Sequence, residues 1–341
     1  MPSPLVEQVA RYIAVRARWS PLECAFWLAA LASVFLLPGR HLILTEIAWL
    51  ALFALSLDLI LGYAGIISLG HAAFFGVGCY AAALLAKHGI VNEPVLALVA
   101  AGLCAAVLGF ATSFLVLRGS DLTRLMVTLG VALIMREIAN QIPDITGGAD
   151  GLQGVIIAPI LGTFQFDMFG HVGYAYCLIV LFVLFVLARR IVYSPFGLSL
   201  QSVKGNALRA ASIGIPVNAR LVTVYTLAAF YAGVAGALLT QTTAFASLDV
   251  FSFERSADLL LVLIIGGTGY LYGGLIGAVI FKLMQDWIAH LTPQYWQFWI
   301  GLVLVLIVLV GRERIGQWTG GVRALVENVT RRFMPVAGEG R

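Results

Sequence analysis

About ten apolar stretches follow one another through this chain, most of them close to the roughly 20 residues that a bilayer-spanning helix requires. They lie near residues 22–37, 42–61, 69–86, 95–117, 122–142, 172–188, 221–240, 257–265, 275–289 and 296–310. The 257–289 stretch reads either as two helices or as one broken element. With 61% hydrophobic and 11% charged residues, against roughly 25% charged in soluble domains, the composition excludes an ordinary soluble domain. The expected fold is all-α: a polytopic integral membrane protein with about ten transmembrane helices, some short or glycine-broken.

Charge placement gives the orientation. If the N-terminus is cytoplasmic, only Arg40, Lys87 and Arg255 among the 21 Lys and Arg residues fall outside, while Arg136 and Lys282 lie within spans. The rest collect inside, as the positive-inside rule requires. The chain then divides into a cytoplasmic N-terminal segment (1–20), a transmembrane domain (21–311) and a cytoplasmic tail (312–341). The net charge of +4 follows from these loops and points to no nucleic acid. The basic 11–18 run precedes an apolar stretch without a small-residue cleavage site, so it reads as the start of a retained helix. Cys24, Cys79, Cys104 and Cys177 all fall in spans at unrelated spacing and read as packing residues, with no disulfide framework or zinc pattern.

Residues 194–220 form the one long polar, basic and helix-like interruption on the inward side. Ser194 followed by Pro195 suits a helix cap with proline in the first turn. Leu200, Val203, Ala207 and Ala211 recur at helical spacing as a narrow apolar stripe, and Gly214 followed by Pro216 is a stop signal. Gly205 within that helix costs about 1 kcal/mol relative to alanine. A helix held between spans on their positive side is either a docking surface for a cytoplasmic partner or a helix lying on the membrane.

Two regions are glycine-rich: 61–80, with Gly62, Gly65, Gly70, Gly76 and Gly78, and 265–281, with Gly266, Gly267, Gly269, Gly273, Gly274 and Gly277. Glycine lets helices approach closely and lets a helix unwind, so such breaks read either as packing elements or as part of a substrate pathway. An unwound segment offers free N–H and C=O groups to a passing polar solute. The candidate translocation path is accordingly placed at Gly65, Ser68, Gly70 and His71, with Gly266, Gly267 and Gly269 opposite or adjacent. His71 reads as a helix-end packing or pathway residue rather than a proton carrier. Neither region is a phosphate loop, because no Lys-Ser or Lys-Thr follows the glycines.

The outward loop 143–170 holds Asp144, Asp150 and Asp167 with no Lys or Arg, and 241–256 holds Asp249, Glu254 and Arg255. These either dock a periplasmic protein or are ordinary solvated loops. The run 146–152 lacks the ligand spacing of a calcium loop.

Charge inside or near the spans is scarce and includes Glu46, Asp58, Arg136, Glu137, Lys282 and Asp286, each a functional candidate because charge at membrane depth is costly. Arg136 and Glu137, with Asn140 a turn later, read as the deepest polar cluster. Lys282 and Asp286 read as an i, i+4 pair that neutralises itself, which leaves no carboxylate and cation pair dedicated to a substrate. No catalytic, metal or cofactor constellation is found. The classes left open are a subunit driven by a separate ATPase, an ion-coupled secondary carrier, and a structural or enzymatic membrane protein.

Residues 57–85, 118–140, 146–155, 194–215 and 264–281 together resemble the branched-chain amino-acid ABC importer permeases, LivM type, in the same order and from about residue 43 to residue 286. Related permeases import urea, short amides or other small carboxylate solutes. The resemblance implies a bacterial inner-membrane subunit that is not an enzyme by itself. Its implied partners are an H-type permease, two cytoplasmic ATPase subunits that bind the ATP, and a periplasmic substrate-binding protein that delivers a small amino acid. It also implies an ATPase-coupling segment at Pro195, Phe196, Gly197, Lys204, Asn206, Arg209, Ala210 and Gly214. Gly205 and Ala207 stand where the family pattern carries acidic residues.

Overall fold

The computed structural model describes residues 19–37, 39–91, 93–167 and 169–310. All but the last two residues of the N-terminal segment (1–20), and the whole of the tail (312–341), lie outside the described residues. Among the described residues there are thirteen α-helices and no strand. The chain divides into two compact units, Met1–Lys282 and Leu283–Arg341.

Helix α1 (Pro21–Leu36) opens with a reciprocal cap: Glu23 N donates to Ser20 Oγ at 3.2 Å, and Ser20 N donates to the Glu23 carboxylate at 3.0 Å. It buries none of its residues and is fastened to α7 (His171–Val192) by an ion pair at 2.9 Å between Glu23 and Arg189. Trp19 covers the same guanidinium at 4.7 Å. Arg189, read from sequence as one of the inward charges, is therefore buried and paired.

Helix α2 (His41–Leu61) is central, buried from Ile47 to Ile60. It packs on α7 and on the long α10 (Val217–Thr243), while α3 (Ala72–Lys87) and α4 (Pro94–Val116) pack on α10 and on each other. These contacts run through small residues, since lipid gives apolar faces no reason to associate and close backbone packing must serve instead. A Cβ on Gly78 of α3 would lie 2.1 Å from Gly233 O of α10, and one on Gly236 would lie 1.9 Å from Phe75 O. Cys79 and Cys177 are buried free thiols, and Cys24 and Cys104 are exposed ones.

Helix α5 (Asp121–Gln141) is as long as α2 but buries only Thr128, Ala132 and Ala139. Arg136, Glu137 and Asn140 lie on its exposed face, not within the bundle, and Gln141 donates to the Glu137 carboxylate at 2.6 Å. The 143–170 connection contains the short α6 (Pro143–Thr146) and a 3₁₀ turn, Gly148–Asp150. It is tied to the 241–256 loop by Leu152 N donating to Ala246 O at 2.7 Å.

The polar segment forms α8 (Pro195–Gly205) and α9 (Ala207–Ser212). The 257–289 stretch resolves into two helices, α11 (Phe253–Gly266) and α12 (Leu271–Leu291), separated by a glycine turn. Helix α13 (Trp296–Val310) follows. Among the described residues five helices, α2, α4, α7, α10 and α12, are long and apolar enough to cross a membrane, and α1 and α3 are shorter apolar helices.

Candidate functional site

The site is a junction at which α8 meets the first glycine break and the second break closes on the first. Helix α2 stops at Leu61, and like any helix end it leaves carbonyls without intrahelical donors. One of them, Gly62 O, accepts from Lys204 Nζ of α8 at 2.6 Å. The cation also suits the negative end of the α2 dipole. Lys204 is the one charged side chain on α8, and its stem runs over Gly65, where a Cβ would lie 3.0 Å from Lys204 Cγ. Gly65 has φ +75°, so glycine satisfies both the turn and the close approach.

The second break enters from the other side. Gly269 N donates to Asp58 Oδ1, in the last turn of α2, at 2.7 Å. Asp58 is fully buried. A Cβ on Gly62 would lie 2.5 Å from Gly269 N, so the two breaks touch backbone to backbone. Gly267 and Gly269 have φ +94° and +78°, which is how the chain turns between α11 and α12. Gly266 packs on Gly273 O.

The rest of the first break is packed tightly. Gly70 lies against the Thr128 carbonyl of α5, and Leu69 N donates to Thr128 Oγ1 at 3.2 Å. Ala72 N donates to Ser256 Oγ of α11 at 3.1 Å. His71 is fully buried, hydrogen-bonded through Nε2 to Ser56 Oγ at 2.8 Å and stacked on Phe53. Ser68 Oγ and His71 Nδ1 are buried without a hydrogen-bond partner among the described residues. The structure thus gathers Gly65, Ser68, Gly70 and His71 into one packed segment and sets Gly269 against its edge.

The helix predicted between the Ser194 cap and the Gly214 stop is two helices. Ser194 accepts from Gly197 N, and Pro195 opens α8 as expected. Helix α8 ends at Gly205, and Asn206 starts α9 by accepting from Arg209 N at 2.9 Å. The apolar stripe is broken accordingly: Leu200 and Val203 are buried, Ala207 and Ala211 are exposed, and Ala210 is buried instead. Gly197 packs on Val192 O, and Phe196 lies beneath Arg220 at 5.2 Å. Gly214, with φ +87°, follows the end of α9. Leu208 and Ile213 are left 84% and 71% exposed, with Arg209 exposed between them. An open groove of about 450 Å³ lies beside Leu208, lined by Ala211, Pro216 and Asn218 among others.

At the opposite end, the loop carboxylate Asp167 accepts from the N–H groups of His171 and Val172 at 3.2 and 3.0 Å, capping α7. Burial pushes its carboxyl up, but those backbone hydrogen bonds outweigh it and hold it below the ordinary range. The expected Lys282–Asp286 pair does not form. Lys282 instead pairs with Glu46 of α2 at 2.5 Å, and Asp286 faces His290 at 3.7 Å. Sequence spacing favours i, i+4 partners, whereas a residue far away in the chain can offer the nearer carboxylate. Spacing alone carries no signal for such a partner.

An α-helical bundle with several membrane-length apolar helices and glycine-broken ends has the make-up of a multi-pass membrane protein. The family profile described as branched-chain amino acid transport system / permease component matches residues 40–308, and the chain belongs to that family. It is 27% identical over 281 residues to the high-affinity branched-chain amino acid transport system permease protein LivM of Escherichia coli, covering 76% of this chain and 65% of that protein. It is also 32% identical over 167 residues to the ribose import permease protein RbsC of Bacillus subtilis, covering 45% of this chain and 52% of that protein. A probable ABC transporter permease protein of E. coli, YphD, is 30% identical over 143 residues, covering 40% of this chain and 42% of that protein. The chain thus spans about two thirds or less of the length of the relatives it matches. No solved structure matches it significantly.

Proposed function

We propose that this chain is the membrane subunit of a binding-protein-dependent ABC importer that passes branched-chain or related small amino acids across the bacterial inner membrane. Both termini are cytoplasmic in this reading, and residues 21–311 form the transmembrane domain. An H-type permease completes the pore, two ATPase subunits bind and hydrolyse ATP, and a periplasmic binding protein delivers the solute. One observation carries the reading: α9 exposes Leu208, Arg209 and Ile213, while α8 beside it reaches both glycine breaks through Lys204 and Gly62. An ATPase that grips this segment moves the breaks directly, as a rigid-body push. The path runs by Gly65, Ser68, Gly70 and His71, with Gly266, Gly267 and Gly269 beside them.

The ribose-permease relative keeps a second reading in view, a permease of the same fold for another small polar solute such as urea or a short amide. Proteoliposomes holding this chain with its partner permease and ATPases test both readings. ATP-dependent leucine uptake that needs the binding protein is the expected result. Uptake that persists without ATP and partners would make the chain an ion-coupled carrier, and ATP-dependent uptake of another solute class would move the substrate.

A further inference from the structure

We infer that Glu46 and Lys282 form a way station for the charged ends of a zwitterionic amino acid, where the second turn of α2 meets the middle of α12. Glu46 stands in the second turn of α2, Lys282 midway along α12, and Asp258 in the second turn of α11. The Glu46–Lys282 pair closes at 2.5 Å, yet Glu46 remains 44% exposed and Lys282 21%. Asp258 is half-buried and within electrostatic reach of both Lys282 and Arg255.

Ion pairs at membrane depth are kept where they face water or another protein, since lipid cannot solvate them. This pair is open on one side and closed beneath. Gly274 of α12 would place a Cβ 3.2 Å from the Ala54 backbone of α2, and Gly277 packs on Val262 O of α11. The helices are thus in close contact about two turns from the charges, while the charges themselves remain partly exposed. Farther along lie Asp58, Gly62 and Gly269, where the same helices meet again.

An α-amino acid carries one carboxylate and one ammonium. The carboxylate matches Lys282, and the ammonium matches Glu46. Each end of the solute replaces one half of an existing ion pair, so the exchange is nearly balanced. Weak binding of this kind holds a passing solute without trapping it.

The inference rests on the amino-acid reading above, and the experiment separates the two. In proteoliposomes of the complete transporter with saturating binding protein, radiolabelled leucine uptake and ATP hydrolysis are measured for the parent, Glu46→Gln, Lys282→Gln and the double variant. The double variant leaves no unpaired charge, so a purely structural bridge predicts its recovery. The way station predicts that it assembles and hydrolyses ATP as the parent does, while uptake stays down about tenfold, the worth of a charged hydrogen bond. In parallel, Leu42→Cys, one turn before Glu46 on α2 at a position 60% exposed, is treated with an impermeant thiol reagent. Labelling that millimolar leucine suppresses, and that 4-methylpentanoate does not, is the expected result.

Parental uptake by the double variant, an unreactive thiol, or labelling indifferent to leucine overturns the way station alone. A parent complex that imports no branched-chain amino acid overturns the substrate reading, and the way station with it.

Discussion

Lys204 Nζ donates to Gly62 O across 2.6 Å and so joins the polar segment of this permease to the broken end of its most buried helix. The bond works in two ways. It satisfies an orphan carbonyl at the end of α2, and it places the only charge of α8 over a glycine turn whose other neighbour is Gly269. Any displacement of α8 is felt at both breaks.

Removing that link should separate coupling from folding. Lys204→Met keeps the stem that covers Gly65 and loses the charge at the helix end, worth about 0.3–1 kcal/mol for a partly exposed cation. The expected outcome is a complex that assembles normally and hydrolyses ATP but imports several-fold less solute per ATP. The ratio of uptake to phosphate release, measured on one preparation, is the readout. An unchanged ratio would leave Lys204 as a local cap only.

The exposed face of α9 should behave differently, because it binds outward. Arg209→Glu and Leu208→Glu are expected to leave insertion intact and to weaken capture of the ATPase subunits in a detergent pull-down. Gly205→Pro acts one step earlier. Proline disfavours the helical conformation of the residue before it, which is Lys204, so this variant should lose coupling while still holding the ATPase. Full ATP-driven uptake by all three would remove the segment from the mechanism.

Much of this arrangement was legible in the sequence, for local reasons. Ser194–Pro195 caps α8, Gly214 follows α9, and the glycines after Ile265 part α11 from α12, because caps and breaks depend on a few neighbouring residues. The cap at Asn206 was equally local and was missed, since an apolar stripe from Leu200 to Ala211 outweighed a single asparagine after Gly205. The bonds Lys204–Gly62 and Glu46–Lys282 link distant parts of the chain, and periodicity carries no trace of them.

Orientation is open to direct labelling. Thr163 is exposed in the 143–170 connection and Ser202 is exposed on α8. In intact cells, Thr163→Cys should react with an impermeant thiol reagent and Ser202→Cys should react only after permeabilisation. Gly148, in the same connection as Thr163, is buried at φ +55°, so a cysteine there would report strain rather than sidedness. Outside labelling at Ser202 would invert the topology and exclude an ATPase contact.

Two glycine-to-alanine changes should move stability in opposite directions. Gly236→Ala places a Cβ 1.9 Å from the Phe75 carbonyl and forces α3 from α10, an overpacking cost of about 1–3 kcal/mol. At Gly130, in helix α5, a Cβ meets nothing within 4 Å. Alanine there should add roughly 0.5–1 kcal/mol through helix propensity. Thermal unfolding in detergent checks both, and a stabilised Gly236→Ala would mean that the α3–α10 contact is looser than drawn.

The translocation path is best tested at Ser68. Gly70 cannot serve, because a side chain there would meet the Thr128 carbonyl and disturb packing whatever its role. A side chain at Gly65 would press on the Lys204 stem and mix path with coupling. Ser68 is buried, with a hydroxyl that has no partner among the described residues. An unsatisfied buried hydroxyl gives no stability, so Ser68→Ala should leave the unfolding temperature unchanged or slightly raised. If that hydroxyl serves the passing solute, uptake at saturating binding protein should fall several-fold while ATP hydrolysis and assembly hold. Parental uptake in a variant of unchanged stability would make the first glycine break a packing element and move the path away from it.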